Sequence, residues 1–149
     1  MPHFAQVVAT DASEQQIESA DRSGDIEYRV ARAEDSGLPD NSIDLITVAQ
    51  ALHWFDIDAF LAEADRVLKP GGVLAFWCYQ NCVVDDDVDP VVLDIFAEVE
   101  DYWLPERQIV EEGYPTIALP FEDIDIGDFC IVADWGAEQL LDYMRTWSA

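Results

Sequence analysis

The stretch from Ile43 to Trp77 constrains the fold most. Ile43-Asp44-Leu45-Ile46-Thr47-Val48-Ala49 is mostly apolar on both faces of an extended chain, the pattern of a buried parallel strand. From Asp58 to Leu68 the side chains of Phe60, Leu61, Ala64, Val67 and Leu68 recur at helical spacing. Lys69-Pro70-Gly71-Gly72 stops that helix, and Val73-Leu74-Ala75-Phe76-Trp77 returns to a strand pattern. A helical crossover between two such strands sets them parallel.

The flanking sequence extends this pattern. Gln6 to Thr10 is a short β-branched run that ends at Asp11. Ser13 offers a helix N-cap with Gln16 three residues on, and the helix is expected to reach about Asp21. Ile26 to Ala31 alternates as a second strand, and Leu38 to Ser42 is a turn cluster. The order β-α-β-β-α-β predicts an α/β fold, with a mostly parallel sheet and helices on both faces. Past Tyr79 the pattern changes. Asp85 to Asp89 is an acidic loop, and Pro90 to Trp103 reads as a helix with Pro in its first turn. Residues 113–126 are Pro-rich and irregular, and Phe129 to Ala133 has the composition of a strand. Ala137 to Trp147 reads as an amphipathic helix, apolar at Leu140, Leu141, Tyr143, Met144 and Trp147.

Charge narrows the partners. The 149 residues carry 32 acids against 7 bases, a formal charge of −25. Such a surface has no basic face for nucleic acid and is repelled by anionic membranes. No apolar run approaches the roughly 18 residues of a membrane span, and Met1-Pro2-His3-Phe4 does not open a secretory signal, so a cytoplasmic location is expected. Leu, Ile, Val and Phe make up 43 of the 149 residues, enough apolar material to fold despite the charge. Lys69 is the only lysine, and an acid-rich, lysine-poor surface fits a halophilic source or simply an acidic soluble protein. Cys78, Cys82 and Cys130 do not make a zinc pattern and are expected to be free thiols. A calcium loop starting at Asp85 fails, because Pro90 and Phe96 stand where Gly and Glu are needed. No metal site is expected.

In an open α/β sheet, ligands bind outside the carboxyl ends of the strands. Asp11 ends the first strand, Ala33-Glu34-Asp35 follow the second, and Gln50, Ala51, His53 and Trp54 follow the third. Arg107 and Arg145 are rare positives, able to grip a carboxylate or to pair with surface acids. These segments, with Ser42-Ile43-Asp44-Leu45-Ile46, His53-Trp54-Phe55 and Arg66-Val67-Leu68-Lys69-Pro70-Gly71-Gly72, resemble class I S-adenosylmethionine-dependent methyltransferases over residues 5–79. More loosely, Pro105-Glu106-Arg107, Gly113-Tyr114-Pro115-Thr116-Ile117 and Arg145-Thr146-Trp147-Ser148 resemble the branch of trans-aconitate methyltransferase-like proteins.

The resemblance implies a Rossmann-like core over 1–80 and a helical, irregular extension over 81–149 on the substrate side of the same domain. It implies S-adenosylmethionine as cofactor. Asp11, with Ala12 beside it, would hold the ribose, Ala33 and Glu34 would sit at the adenine, and Ala49 and Gln50 near the methionine part. His53 would lie near the transferred methyl and is the candidate general base for a hydroxyl acceptor, whereas a carboxylate acceptor needs none. Trp54 and Tyr79 would line the substrate side, with Arg107 and Arg145 as carboxylate grips. The resemblance also implies a first strand and a Gly-rich loop before Phe4, at the centre of a 3-2-1-4-5 sheet, and two further strands after Ala149. The chain then reads as an internal piece of a domain of roughly 250 residues. Without the central strand, the first and third strands pair directly, receive a strand from another chain, or leave open edges that favour a homodimer. The leading function is methyl transfer to a small molecule. The alternative is a catalytically inactive, methyltransferase-like module for folding or interaction. A nicotinamide-dependent oxidoreductase also wants an acid like Asp11, but no Gly-x-Gly precedes it.

Overall fold

The computed structural model describes residues 3–22, 24–79, 82–99, 102, 110, 114, 117–127 and 129–146. Its best-packed part is the stretch that most constrained the sequence. β3 (Ile43–Ala49), α2 (Ile57–Val67) and β4 (Leu68–Trp77) form a strand–helix–strand unit with the two strands parallel. Asp56 caps α2 by accepting from the Ala59 N–H, and Phe60, Leu61, Ala64 and Val67 are buried on one helix face. They join Val48 of β3 and Leu52, which lies in a 3₁₀ turn (Leu52–Trp54) after β3. Leu52 is 1% exposed.

β1 (Val7–Asp11), α1 (Glu14–Ser19) and β2 (Ile26–Val30) repeat the connection. β1 and β2 are parallel, with Val7 opposite Ile26 and Asp11 opposite Val30. Ser13 caps α1 as expected, its Oγ accepting from the Gln16 N–H. The two units are joined through side chains. Ser36, just past β2, donates through N–H and Oγ to Glu63 of α2, at 2.9 and 2.6 Å.

Four expectations change. β4 starts at Leu68 rather than Val73, because Pro70-Gly71-Gly72 does not end the extended chain but bulges it. Leu68 faces Ile43 and Val73 faces Leu45, so Lys69 to Gly72 loop out between them. Gly71 sits at φ 79°, and a Cβ on Gly72 would lie 2.9 Å from the Lys69 carbonyl and 3.1 Å from that of Ile43. Second, the strands do not form one sheet. Among the described residues β1–β2 and β3–β4 are separate two-stranded ladders, because no strand hydrogen-bonds to both β1 and β3. Third, among the described residues Phe129 to Ala133 joins no ladder, and Val132 is 90% exposed. Fourth, the last helix, α4 (Ala137–Met144), buries none of its apolar side chains. Between the ladders and α4, α3 (Asp89–Val99) buries only Val92. The expected ends of the helices at Trp103 and Trp147 lie outside the described residues. No helix among the described residues is long and apolar enough to cross a membrane. The three cysteines are free.

Candidate functional site

The carboxyl ends of the four strands carry most of the predicted site residues. Asp11 closes β1, and its carbonyl accepts from the Ala31 N–H, completing the β1–β2 ladder. Its Oδ1 accepts from the Ser13 N–H at 2.7 Å, which turns the chain through Ala12 into α1. Among the described residues Oδ2 accepts nothing. Asp11 also lines an open depression of about 320 Å³ with Thr10, Gln16, Ile17 and Tyr28. A second depression, of about 470 Å³, lies past the end of β2 along Arg29 to Arg32 and Asp35 to Gly37.

Glu34 is committed to the protein. Its Oε1 accepts from the Asp56 N–H at 2.9 Å and its Oε2 from Arg32 Nε at 3.2 Å. The Asp56 N–H, then Arg32, hold its carboxyl below the usual carboxylate range. Glu34 thus ties the end of β2 to the start of α2, and Ala33 beside it packs against the core. Gln50 is committed too. It sits at φ 53°, turning the chain sharply off β3. Its N–H donates to the Trp77 carbonyl, its Nε2 donates to the Tyr79 carbonyl at 2.8 Å, and its Oε1 accepts from the Tyr79 N–H. The side-chain amide therefore prolongs the β3–β4 ladder by one more pairing beyond Ala49. Tyr79 is held by its main chain, with its ring exposed.

His53 lies in the 3₁₀ turn after β3, with the Trp54 ring centroid 4.7 Å away and Trp54 56% exposed. Its Nδ1 is 3.1 Å from the hydroxyl of Tyr114. Tyr114 is buried, set edge-on against Phe76 of β4, and sits at φ 60°. Burial pushes its hydroxyl up to about 12. Cys78, just past β4, donates to the Val110 carbonyl at 3.7 Å, and burial pushes its thiol up. Val110 and Tyr114 thus pack over the ends of β3 and β4.

The structure joins Gln50 to Tyr79, and His53 to Trp54. It does not bring Arg145 to them. Arg145 pairs with Asp142 at the exposed end of α4. Arg107 lies outside the described residues. No group of three or more His, Cys, Asp or Glu among the described residues is placed to hold a metal. Tyr114 was not among the expected site residues. Its signal was thin: a tyrosine between Gly113 and Pro115, 61 residues from the histidine it meets.

Comparison with known proteins places these ends in context. A family model described as a methyltransferase domain matches residues 1–76. A Dictyostelium discoideum protein named as a methyltransferase is 33% identical over 150 residues, covering 98% of this chain and 57% of that protein. A Saccharomyces cerevisiae protein named as an S-adenosylmethionine-dependent methyltransferase is 27% identical over 86 residues, 52% of this chain and 30% of that one. The solved structure of a protein titled a type II methyltransferase, from Anaeromyxobacter dehalogenans, superposes with a TM-score of 0.82 at 40% identity. It covers 97% of this chain, which spans 62% of it. The chain therefore spans about three fifths of the length of these two fuller matches.

Proposed function

Because this chain belongs to the methyltransferase-domain family of class I S-adenosylmethionine-dependent enzymes, we propose that it serves methyl transfer from S-adenosylmethionine to a small-molecule acceptor, a carboxylate or a hydroxyl. The observation that carries the reading is Asp11: a carboxylate at the end of a parallel strand, with one oxygen used locally and the other uncommitted among the described residues. Such a carboxylate suits the vicinal hydroxyls of a ribose. The cofactor, when bound, supplies an electrophilic methyl group on a sulfonium. The chain supplies alignment and shielding from water. Asp11, with Ala12, holds the ribose. Ala33 offers a small apolar surface to the adenine, while Glu34 keeps the β2 end fixed to α2. Ala49 and Gln50 present the end of β3 to the amino-acid part, with Gln50 acting through its main chain. His53, Trp54 and Tyr79 stand on the acceptor side, joined by Arg107 and Arg145 as grips for an anionic acceptor.

In this reading the ladders β1–β2 and β3–β4 are two parts of one sheet, completed between β1 and β3 by a strand from outside this stretch or from a second copy. The high superposition at partial coverage supports it. The acidic surface supports a small-molecule partner over nucleic acid, and a cytoplasmic site of action. A second reading, an inactive interaction module, is favoured by the exposed apolar run Phe129 to Val132 and by the internal commitment of Glu34 and Gln50.

Isothermal titration with S-adenosylmethionine and S-adenosylhomocysteine, in low and in molar salt, separates the two. Methyl transfer predicts binding that weakens at least about tenfold in Asp11→Ala, the loss of a charge-assisted hydrogen bond. No binding by the folded chain in either salt leaves the module.

A further inference from the structure

We propose that Gln50 is a positioning residue: its side-chain amide replaces its own main chain in the β3–β4 ladder and thereby holds Tyr79 in place on the acceptor side. Ala49 faces Trp77, so the register sets Gln50 opposite Cys78. In a regular parallel ladder the Tyr79 N–H would then donate to the Gln50 carbonyl, and the Tyr79 carbonyl would accept from the Leu52 N–H. The φ of 53° at Gln50 turns the main chain out of that path, and the side chain supplies both groups. Oε1 accepts from the Tyr79 N–H at 3.2 Å, and Nε2 donates to the Tyr79 carbonyl at 2.8 Å. The main chain of Tyr79 fixes these directions, because its nitrogen can only donate and its carbonyl can only accept.

This exchange lets the two strands part company. The chain leaves β3 at Gln50 and enters the turn that carries His53 and Trp54, while β4 stays paired two residues past Trp77. Strand alternation then sets the direction of the ring. Cys78 packs against the core and donates to the Val110 carbonyl, so Tyr79 faces the other way, on the side of Trp77. Trp77 is 46% and Tyr79 45% exposed, and the Tyr79 hydroxyl has no partner among the described residues. An open ring and hydroxyl on a clamped main chain suit a group that orients a small ligand. Resting on the methyl-transfer reading, Gln50 therefore acts on the acceptor through Tyr79, and alignment is what the reaction needs from the chain.

Amide exchange of the ¹⁵N-labelled chain reads the clamp with neither cofactor nor acceptor present. The Tyr79 N–H should be protected in the parent. Gln50→Gly adopts the positive φ without strain and removes the amide. Protection at Tyr79 should then fall at least about tenfold, whereas a side chain that served only the turn would leave it unchanged. Gln50→Glu keeps the shape, but its carboxylate cannot donate to the Tyr79 carbonyl. The same loss is expected at about pH 8, with recovery toward about pH 5 as the carboxyl, pushed up by the facing carbonyl oxygen, takes a proton. An unprotected Tyr79 amide in the parent, or full protection in both variants at the higher pH, overturns the clamp. Should Gln50→Gly fail to fold, Gln50→Glu decides. Labelled-methyl transfer to acetate, succinate, citrate and catechol reads the acceptor side. Gln50→Gly should raise the acceptor KM about fivefold more than it lowers kcat, and should add no further rise in the Tyr79→Ala background. An unchanged KM, an equal rise in the Tyr79→Ala background, or transfer to none of the four overturns the acceptor-side role. A protected Tyr79 amide in a folded chain that binds no S-adenosylmethionine overturns the function above and upholds the clamp.

Discussion

β3–α2–β4 and β1–α1–β2 share one connection, and they differ in what they bury. The first unit encloses Val48, Leu52, Phe60, Leu61, Ala64, Val67 and Leu68, and the later residues Val110 and Tyr114 seal its strand ends. Among its described residues the second buries only Ile17. Its order rests on a five-residue parallel ladder, the Ser13 cap and the Asp11 turn. Topology alone does not set stability: the same path gives a packed core where a helix has four buried positions and a marginal one where it has one. The difference suits the proposed site. The well-packed unit carries His53, and the lightly packed unit carries Asp11, which the proposal sets at the cofactor's ribose.

That contrast can be broken by mutation. Leu52→Ala should destabilise the chain by about 3–4 kcal/mol in urea unfolding, because it opens a cavity in the sealed core. Ile17→Ala should cost about 2 kcal/mol, since its site can collapse toward solvent. Equal losses would mean the units are equally packed. Gly72→Ala should cost about 1–3 kcal/mol, because its Cβ would press on two backbone carbonyls at the β4 bulge.

Acid sharpens the seam between the units. Arg66, then Ser36, hold the Glu63 carboxyl at about 2. A carboxyl held below its unfolded value of 4.5 stabilises the fold above that pH and loses the contribution as pH falls toward about 2. Glu63→Gln should therefore lower stability at neutral pH by about 1–2 kcal/mol and flatten the acid side of the stability profile. An unchanged profile would remove Glu63 as the link between the β2 end and α2.

What the sequence disclosed follows the same division. β1, α1, β2, β3 and α2 were legible because periodicity and local caps define them, as Ser13 with Gln16 illustrates. The early start of β4 was not, because Pro-Gly-Gly reads as a stop unless the partner strand Ile43 is known to absorb the bulge. The run Phe129 to Ala133 has strand composition, yet a strand needs a partner edge, which composition does not reveal. The positions of Asp11 and His53 after strands were legible, and the structure has them at the ends of β1 and β3. The internal commitments of Glu34 and Gln50 were not, since Asp56 and Tyr79 are distant in the chain and meet them only in the fold. Tyr114 was hidden for the same reason.

Amide hydrogen exchange with and without S-adenosylhomocysteine tests the central claim, that the strand ends of both units form one cofactor site. The account predicts slowed exchange at residues 11–13, 31–35 and 49–54, with α4 unchanged. Unchanged exchange at all three strand ends at saturating ligand, or protection confined to α4, would contradict it.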